Sequence, residues 1–134
     1  MSYTQNMDDP LSERKRLLFI DDEAINLLGA ACLFRRDYVV YTALSCKEGL
    51  EILESTMVDA VIADQRMPEM KGTELFSTLP DRNRTGLRLI LTGYADDQDI
   101  HNAVSAGYID GVLEKPLNVR ELTSHLNKLD LRTA

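Results

Sequence analysis

Five short apolar runs punctuate the chain: Leu17–Ile20, Tyr38–Ala43, Val58–Ala63, Leu87–Leu91 and Ile109–Leu113. Continuous runs such as Leu17-Leu-Phe-Ile20 suit parallel strands buried on both faces, and Tyr38–Ala43 is β-branched and aromatic, as strands are. The stretches between them change to helical spacing. From Ala24 to about Arg36, Ile25, Leu28, Cys32 and neighbouring apolar residues recur at helical spacing, and Arg35 and Arg36 suit a helix C-terminus. Ser45 and Glu48 make a capping box for a helix with Cys46, Leu50 and Leu53 on its apolar side. Thr73–Leu79 predicts a short helix closed by Pro80, and residues 81–86 a polar loop. Asp96 or Asp97 caps a fourth helix with Ile100, Ala103 and Val104 inward, stopped near Gly107. Asn118 and Glu121 repeat the capping pattern, and Val119, Leu122, Leu126 and Leu129 form the last stripe.

Five strands alternating with five helices predict an α/β fold, a doubly wound five-stranded parallel sheet of flavodoxin-like strand order 2-1-3-4-5. Residues 1–14 read as a flexible leader, 15–131 as the single domain and 132–134 as a tail. Composition narrows the function. A net charge of −7 and the absence of Trp argue against direct nucleic-acid binding and favour a divalent cation or a basic partner. Cys32 and Cys46 have no metal-ligand spacing and form no disulfide framework, which suits a reducing cytoplasm. Each reads as a small buried apolar residue. No apolar run reaches membrane-span length and no signal peptide precedes the first strand, so a cytoplasmic location is expected, without membrane contact. His101 and His125 read as surface residues, and Met67 and Met70 as packing.

The chemistry lies where the strands end. The first strand ends at Asp21 and Asp22, the third at Asp64, the fourth at Thr92, and the fifth leads to Lys115. In a doubly wound sheet these four strands are neighbours, so the groups converge on the crevice at the topological switch point. Crowded carboxylates repel one another, and a hard cation with oxygen ligands relieves this; Mg²⁺ suits the set. Lys115 and the Thr92 hydroxyl are placed to meet phosphoryl oxygens. Asp64, at the centre, is the candidate nucleophile for an aspartyl phosphate. Taken singly, Asp21 and Asp22 read equally well as a helix cap and a solvated acid, Thr92 as a strand-end hydroxyl, and Lys115 as a surface cation.

Four motifs now stand in order: Leu-Phe-Ile-Asp-Asp-Glu at 18–23, Ala-Asp-Gln-Arg-Met-Pro at 63–68 with Gly72, Leu-Thr-Gly-Tyr at 91–94 and Glu-Lys-Pro at 114–116. From about Lys15 to Leu131 the chain resembles a response-regulator receiver domain of two-component signalling. The resemblance implies that Asp64 accepts a phosphoryl group from a sensor histidine kinase or phosphotransfer protein, as one step of a phosphorelay. It implies that Asp22, Asp64 and the backbone carbonyl of Arg66 bind Mg²⁺, with Asp21 acting largely through water. Thr92 and Lys115 contact the phosphoryl oxygens, and the Lys115–Pro116 bond is cis. The protein catalyses only its own phosphorylation and dephosphorylation. The surface of the fourth helix, fifth strand and fifth helix then changes, addressing an output domain or effector protein.

The chain departs from the family pattern at Val112, where an aromatic residue usually changes rotamer together with the Thr. Arg66 and Tyr94 stand at positions that tune phosphoryl lifetime in the family, and their bulk implies a long-lived phosphoryl state. Gly107–Lys115 is one residue longer than in the commonest receivers. With the 91–96 segment, it resembles receivers joined to HD-GYP cyclic-di-GMP phosphodiesterase or kinase-related output domains. Three other classes compete. In a flavodoxin-like electron carrier, Asp21-Asp22-Glu23 would repel the flavin phosphate. A haloacid-dehalogenase-type phosphatase wants a second Asp where Arg66 stands. The third is a degenerate receiver acting purely as a protein-interaction module.

Overall fold

A computed structural model describes residues 14–79, 82–94 and 97–133. Its strands are β1 (Arg16–Ile20), β2 (Val39–Ala43), β3 (Ala60–Asp64), β4 (Leu87–Thr92) and β5 (Gly111–Glu114). The helices are α1 (Ala24–Phe34), α2 (Cys46–Ser55), α3 (Gly72–Ser77), α4 (Arg82–Thr85), α5 (Gln98–Ala106) and α6 (Val119–Thr133). The strands form one parallel sheet in the order β2-β1-β3-β4-β5, as the alternation of elements predicts. Of the sequence-based expectations, the leader over 1–13, the Pro80 stop, an Asp96 cap and the Leu129 side chain lie outside the described residues. Helix α6 continues to Thr133, past the expected domain end at 131.

Strand residues alternate between two core layers, because successive side chains leave opposite faces of a sheet. Leu17, Phe19, Ala60, Ile62, Leu89, Leu91 and Leu113 pack against α1 and α6. Leu18, Ile20, Val61, Ala63 and Ile90 pack against α2, α3 and α5. Both faces of β3 and β4 are buried, which is why their sequences read as near-continuous apolar runs.

Three helix caps follow the sequence. Ser45 Oγ accepts from Glu48 N at 3.1 Å, Asp97 Oδ1 from Asp99 N at 2.8 Å, and Asn118 Oδ1 from Glu121 N at 2.9 Å. Glu48 reaches back to Leu44 N rather than to Ser45 N, one residue beyond the reciprocal bond of a capping box. Ser45→Ala should cost about 1 kcal/mol, a typical value for a lost N-cap. A urea midpoint that falls with an unchanged slope is the expected result. Helix α5 closes at Gly107, whose φ of 81° is a left-handed conformation that glycine adopts without strain.

The structure corrects several expectations. Residues 82–85, expected as loop, form the short helix α4. It is pinned by Arg84, which donates to the carbonyls of Leu53 (2.6 Å) and Glu54 (2.9 Å) near the end of α2. Such long-range side-chain to backbone bonds leave no local sequence signal. In α1 two of the residues whose spacing marks the helix face outward, Ile25 being 70% exposed and Leu28 59%, while their neighbours Leu27, Ala30 and Phe34 are buried. Cys32 accordingly lies on the exposed side, and only Cys46 is a buried thiol. Val104 and Val119 are likewise exposed, because their helices meet the sheet with the neighbouring face. His125 is half-buried, since Gly111 leaves room for it: a Cβ there would lie 2.7 Å from His125 Cε1. Burial, and the nearby Lys128 charge, push the His125 pKa down. His101 is exposed, as expected, and Met67 and Met70 pack on the core. Among the described residues, no helix is long and apolar enough to cross a membrane.

Candidate phosphoacceptor site

Strand register brings the candidate residues to one edge of the sheet. Ile20 lies beside Ala63, and Asp64 beside Leu91, so Asp21, Asp64 and Thr92 emerge at adjacent strand ends. Thr92 in turn lies beside Glu114, and the Lys115 N–H donates to the Thr92 carbonyl at 2.8 Å. The carboxylates of Asp21, Asp22 and Asp64 each place an oxygen within 4.8 Å of the others. Lys115 Nζ lies 3.1 Å from Asp64 Oδ1. The Lys115–Pro116 bond is cis, as expected.

The acids differ in environment. Asp64 and Asp21 are each 4% exposed, whereas Asp22 is open to solvent. Asp21 already accepts from Glu23 N (2.9 Å) and Asn26 Nδ2 (3.2 Å), bonds that hold the turn into α1; the N-cap residue is Glu23, and no side chain caps the helix. Burial pushes the Asp64 pKa up; the Lys115 ammonium and the Arg66 N–H pull it down, and the Asp21 charge raises it again. The net result is a carboxylate held above its ordinary value. All donors here are oxygen, and their charges repel until a cation joins them. That composition fits a hard divalent ion such as Mg²⁺.

Two residues that sequence reasoning passed over hold this geometry. Gln65 is fully buried: its Oε1 accepts from Thr73 N at 2.9 Å, its Nε2 donates to Thr73 Oγ1 at 3.1 Å, and its carbonyl accepts from Gly72 N at 3.1 Å. These bonds close the loop between β3 and α3 and fix the backbone just after Asp64. Arg88, 2% exposed, donates to Thr85 Oγ1, to the Phe76 carbonyl and to the Leu79 carbonyl, anchoring the end of α3 to β4. A neutral amide between Asp64 and Arg66 carries no local mark of burial, and an arginine within the apolar run Leu87–Leu91 reads equally as its one solvated position. Gly72 was noted only as part of a motif; a Cβ there would lie 2.7 Å from the Asp64 carbonyl oxygen.

At the mouth, the Arg66 guanidinium sits over the Tyr94 ring, 4.5 Å from its centroid. Exposed contacts of this kind are worth about 0.5–1 kcal/mol. The Thr92 hydroxyl, 1% exposed, accepts from Tyr94 N at 3.0 Å. Beside Asp64 and Lys115, an apolar cleft of about 500 Å³ runs between α1 and Leu117.

The sequence model of the response regulator receiver domain matches residues 17–127. The chain belongs to the response regulator receiver family. It is 33% identical over 115 residues to the sensor kinase CckA of Brucella abortus, a match covering 84% of this chain and 12% of the kinase. A response regulator receiver domain protein from Methanospirillum hungatei superposes with a TM-score of 0.80 at 28% identity, over 90% of this chain and 98% of that one. The signal receiver domain of an HD domain-containing protein from Pseudomonas fluorescens gives 0.79 at 27% identity, over 90% and 97%. The receiver chain spans only 12–23% of the length of the first curated relatives.

Proposed function

We propose that this receiver domain, over residues 15–131, is phosphorylated on Asp64 by the phosphohistidine of a sensor kinase or phosphotransfer protein. The observation that carries the reading is the buried Asp64 carboxylate in contact with Lys115 and clustered with two further acids. An Asp64 oxygen attacks phosphorus as the bond from phosphorus to the imidazole nitrogen breaks, and the imidazole leaves with the bonding electron pair and takes a proton. Lys115 meets one phosphoryl oxygen and the Thr92 hydroxyl donates to another, neutralising charge that Asp21 and Asp22 would otherwise oppose. Mg²⁺, which Asp22, Asp64 and the Arg66 carbonyl would hold with Asp21 acting through water, would supply further charge neutralisation. No other turnover is assigned to the domain. Its output surface is α5, β5 and α6, addressed to an output domain or effector in the cytoplasm.

Incubation with acetyl phosphate and Mg²⁺ should add one phosphoryl unit to the intact mass, and EDTA should prevent it. No gain from acetyl phosphate or from a phosphorylated donor would favour the second reading, a phosphorylation-independent interaction module, to which Val112 points. Arg66 and Tyr94 crowd the path of a hydrolysing water, so the phosphoryl state should outlast seconds. Tyr94→Ala should shorten its half-life severalfold, on the scale of about 1 kcal/mol from one exposed ring contact. Mass spectrometry after removal of donor reads this, and equal lifetimes would exclude the shielding role.

A further inference from the structure

Helix α1 carries a second apolar face that the core does not use. Opposite its buried side, Ile25, Gly29 and Cys32 stand one above another at helical spacing, with Leu28 and Leu33 on the flanks. Ile25 is 70% exposed, Leu28 59% and Leu33 49%. Gly29 is the middle residue of Ala24–Phe34, and its own chain has no need of a glycine there. An added Cβ would find no atom within 4 Å, and the backbone is not left-handed. Glycine inside a helix weakens it relative to alanine, so its use lies in close approach by another molecule. The two ends of the helix carry opposite charge: Asp22 and Glu23 are exposed at its start, Arg35 and Arg36 at its end.

We propose that this face binds a second copy of the chain, with the two α1 helices antiparallel about a two-fold axis at Gly29. Counting outward from the axis, Ile25 of one copy meets Leu33 of the other, Glu23 meets Arg35, and Asp22 meets Arg36. A parallel pair would set acid against acid and base against base, so charge fixes the direction. The same patch serves both copies, and the assembly closes at two. Glycine at the crossing lets the helix axes approach until the flanking leucines interdigitate. A helix of 11 residues spans about 16 Å. The interface is therefore small, and association is weak and concentration-dependent.

Sedimentation equilibrium of the full chain, over a series reaching about 1 mM, should give a mass rising toward twice that of one chain. Cys32 lies within the contact, whereas Cys46 is buried, its thiol pushed up to about 11, and stays unreactive. The rate at which a maleimide modifies Cys32 should fall severalfold across the same series. Glu23→Arg, and separately Arg35→Glu combined with Arg36→Glu, should each give monomers. Mixed in equal amounts the two should associate again, because each supplies the charge that the other lacks. Gly29→Gln separates this role from a structural one. A better helix former should raise the urea midpoint, while a long side chain at the axis abolishes association. The mass of one chain throughout the series overturns the proposal, and so does a mixture of the charge variants that stays monomeric. Self-association that leaves Cys32 equally reactive, or that survives Gly29→Gln, overturns it too, since the copies then meet through another face.

Discussion

Asp64→Asn should abolish phosphoryl gain and, at neutral pH without Mg²⁺, raise the melting temperature by a few degrees. The first effect is a loss of nucleophile: an amide has no charged oxygen to attack phosphorus. The second follows from the position of Asp64, buried beside Asp21 and within reach of Asp22. Burial and the Asp21 charge together outweigh Lys115 and the Arg66 N–H, so the folded-state pKa lies above that of the unfolded chain. The folded protein therefore binds the Asp64 proton more tightly. The contribution of Asp64 to stability is therefore present at low pH and declines as pH rises through its folded pKa. The variant lacks this ionisation. Its advantage should vanish in acid, below the usual carboxylate range, and grow toward neutrality. Added Mg²⁺, on the proposed reading a ligand of the native cluster and not of the unfolded chain, should narrow the gap. Thermal melts at several pH values, with and without Mg²⁺, measure all three trends. A variant less stable than the parent at pH 7 without Mg²⁺ would mean that the Lys115 pairing outweighs the cost of burial.

Gly72→Ala should destabilise the domain by about 2 kcal/mol, within the range for overpacking a filled site. It should also slow phosphorylation by acetyl phosphate by at least about tenfold, given that a misplacement near 1 Å can cost a hundredfold. The added Cβ would lie 2.7 Å from the Asp64 carbonyl oxygen and 2.7 Å from Ile90 Cδ1. Ile90 is a side chain and can change rotamer. The carbonyl moves only if the backbone of Asp64 moves, and Gln65 bonds both Thr73 and Gly72 to that same backbone. Urea denaturation and the initial rate of mass gain report the two effects. A normal rate alongside reduced stability would show that Ile90 absorbs the whole clash and that Asp64 tolerates its neighbour.

Element existence and order were legible along the chain because the sheet is parallel and covered on both faces. Its central strands must be apolar throughout, and the helices between them must be amphipathic. The approach of Asp21, Asp22, Asp64 and Lys115 was legible for a related reason. A strand that ends abruptly at a polar residue marks the rim of the sheet, and the topology fixes which rims adjoin. The α4 helix was not legible, because its Arg84 bonds to carbonyls about 30 residues away. Gln65 and Arg88 escaped notice for the same reason: whether a polar side chain is buried depends on partners that only the folded chain assembles.

Helix α1 marks the division most sharply. Its sequence, AINLLGAACLF, is apolar around much of the cylinder. Ile25, Leu28 and Cys32 have the same spacing as the residues that are buried, Leu27, Ala30 and Phe34. Periodicity gives the pitch of a helix but not the phase of its buried face when several faces are apolar. The sheet, with Phe19 stacked on Phe34 at 5.8 Å, selects the face. The same holds at the mouth of the site. The chain carries Arg66 and Tyr94 as separate residues, each two places past a strand end. That one lies over the other, and that Tyr94 also holds the Thr92 hydroxyl, follows from the adjacency of β3 and β4, since contacts between loops exist only once the strands beneath them have paired.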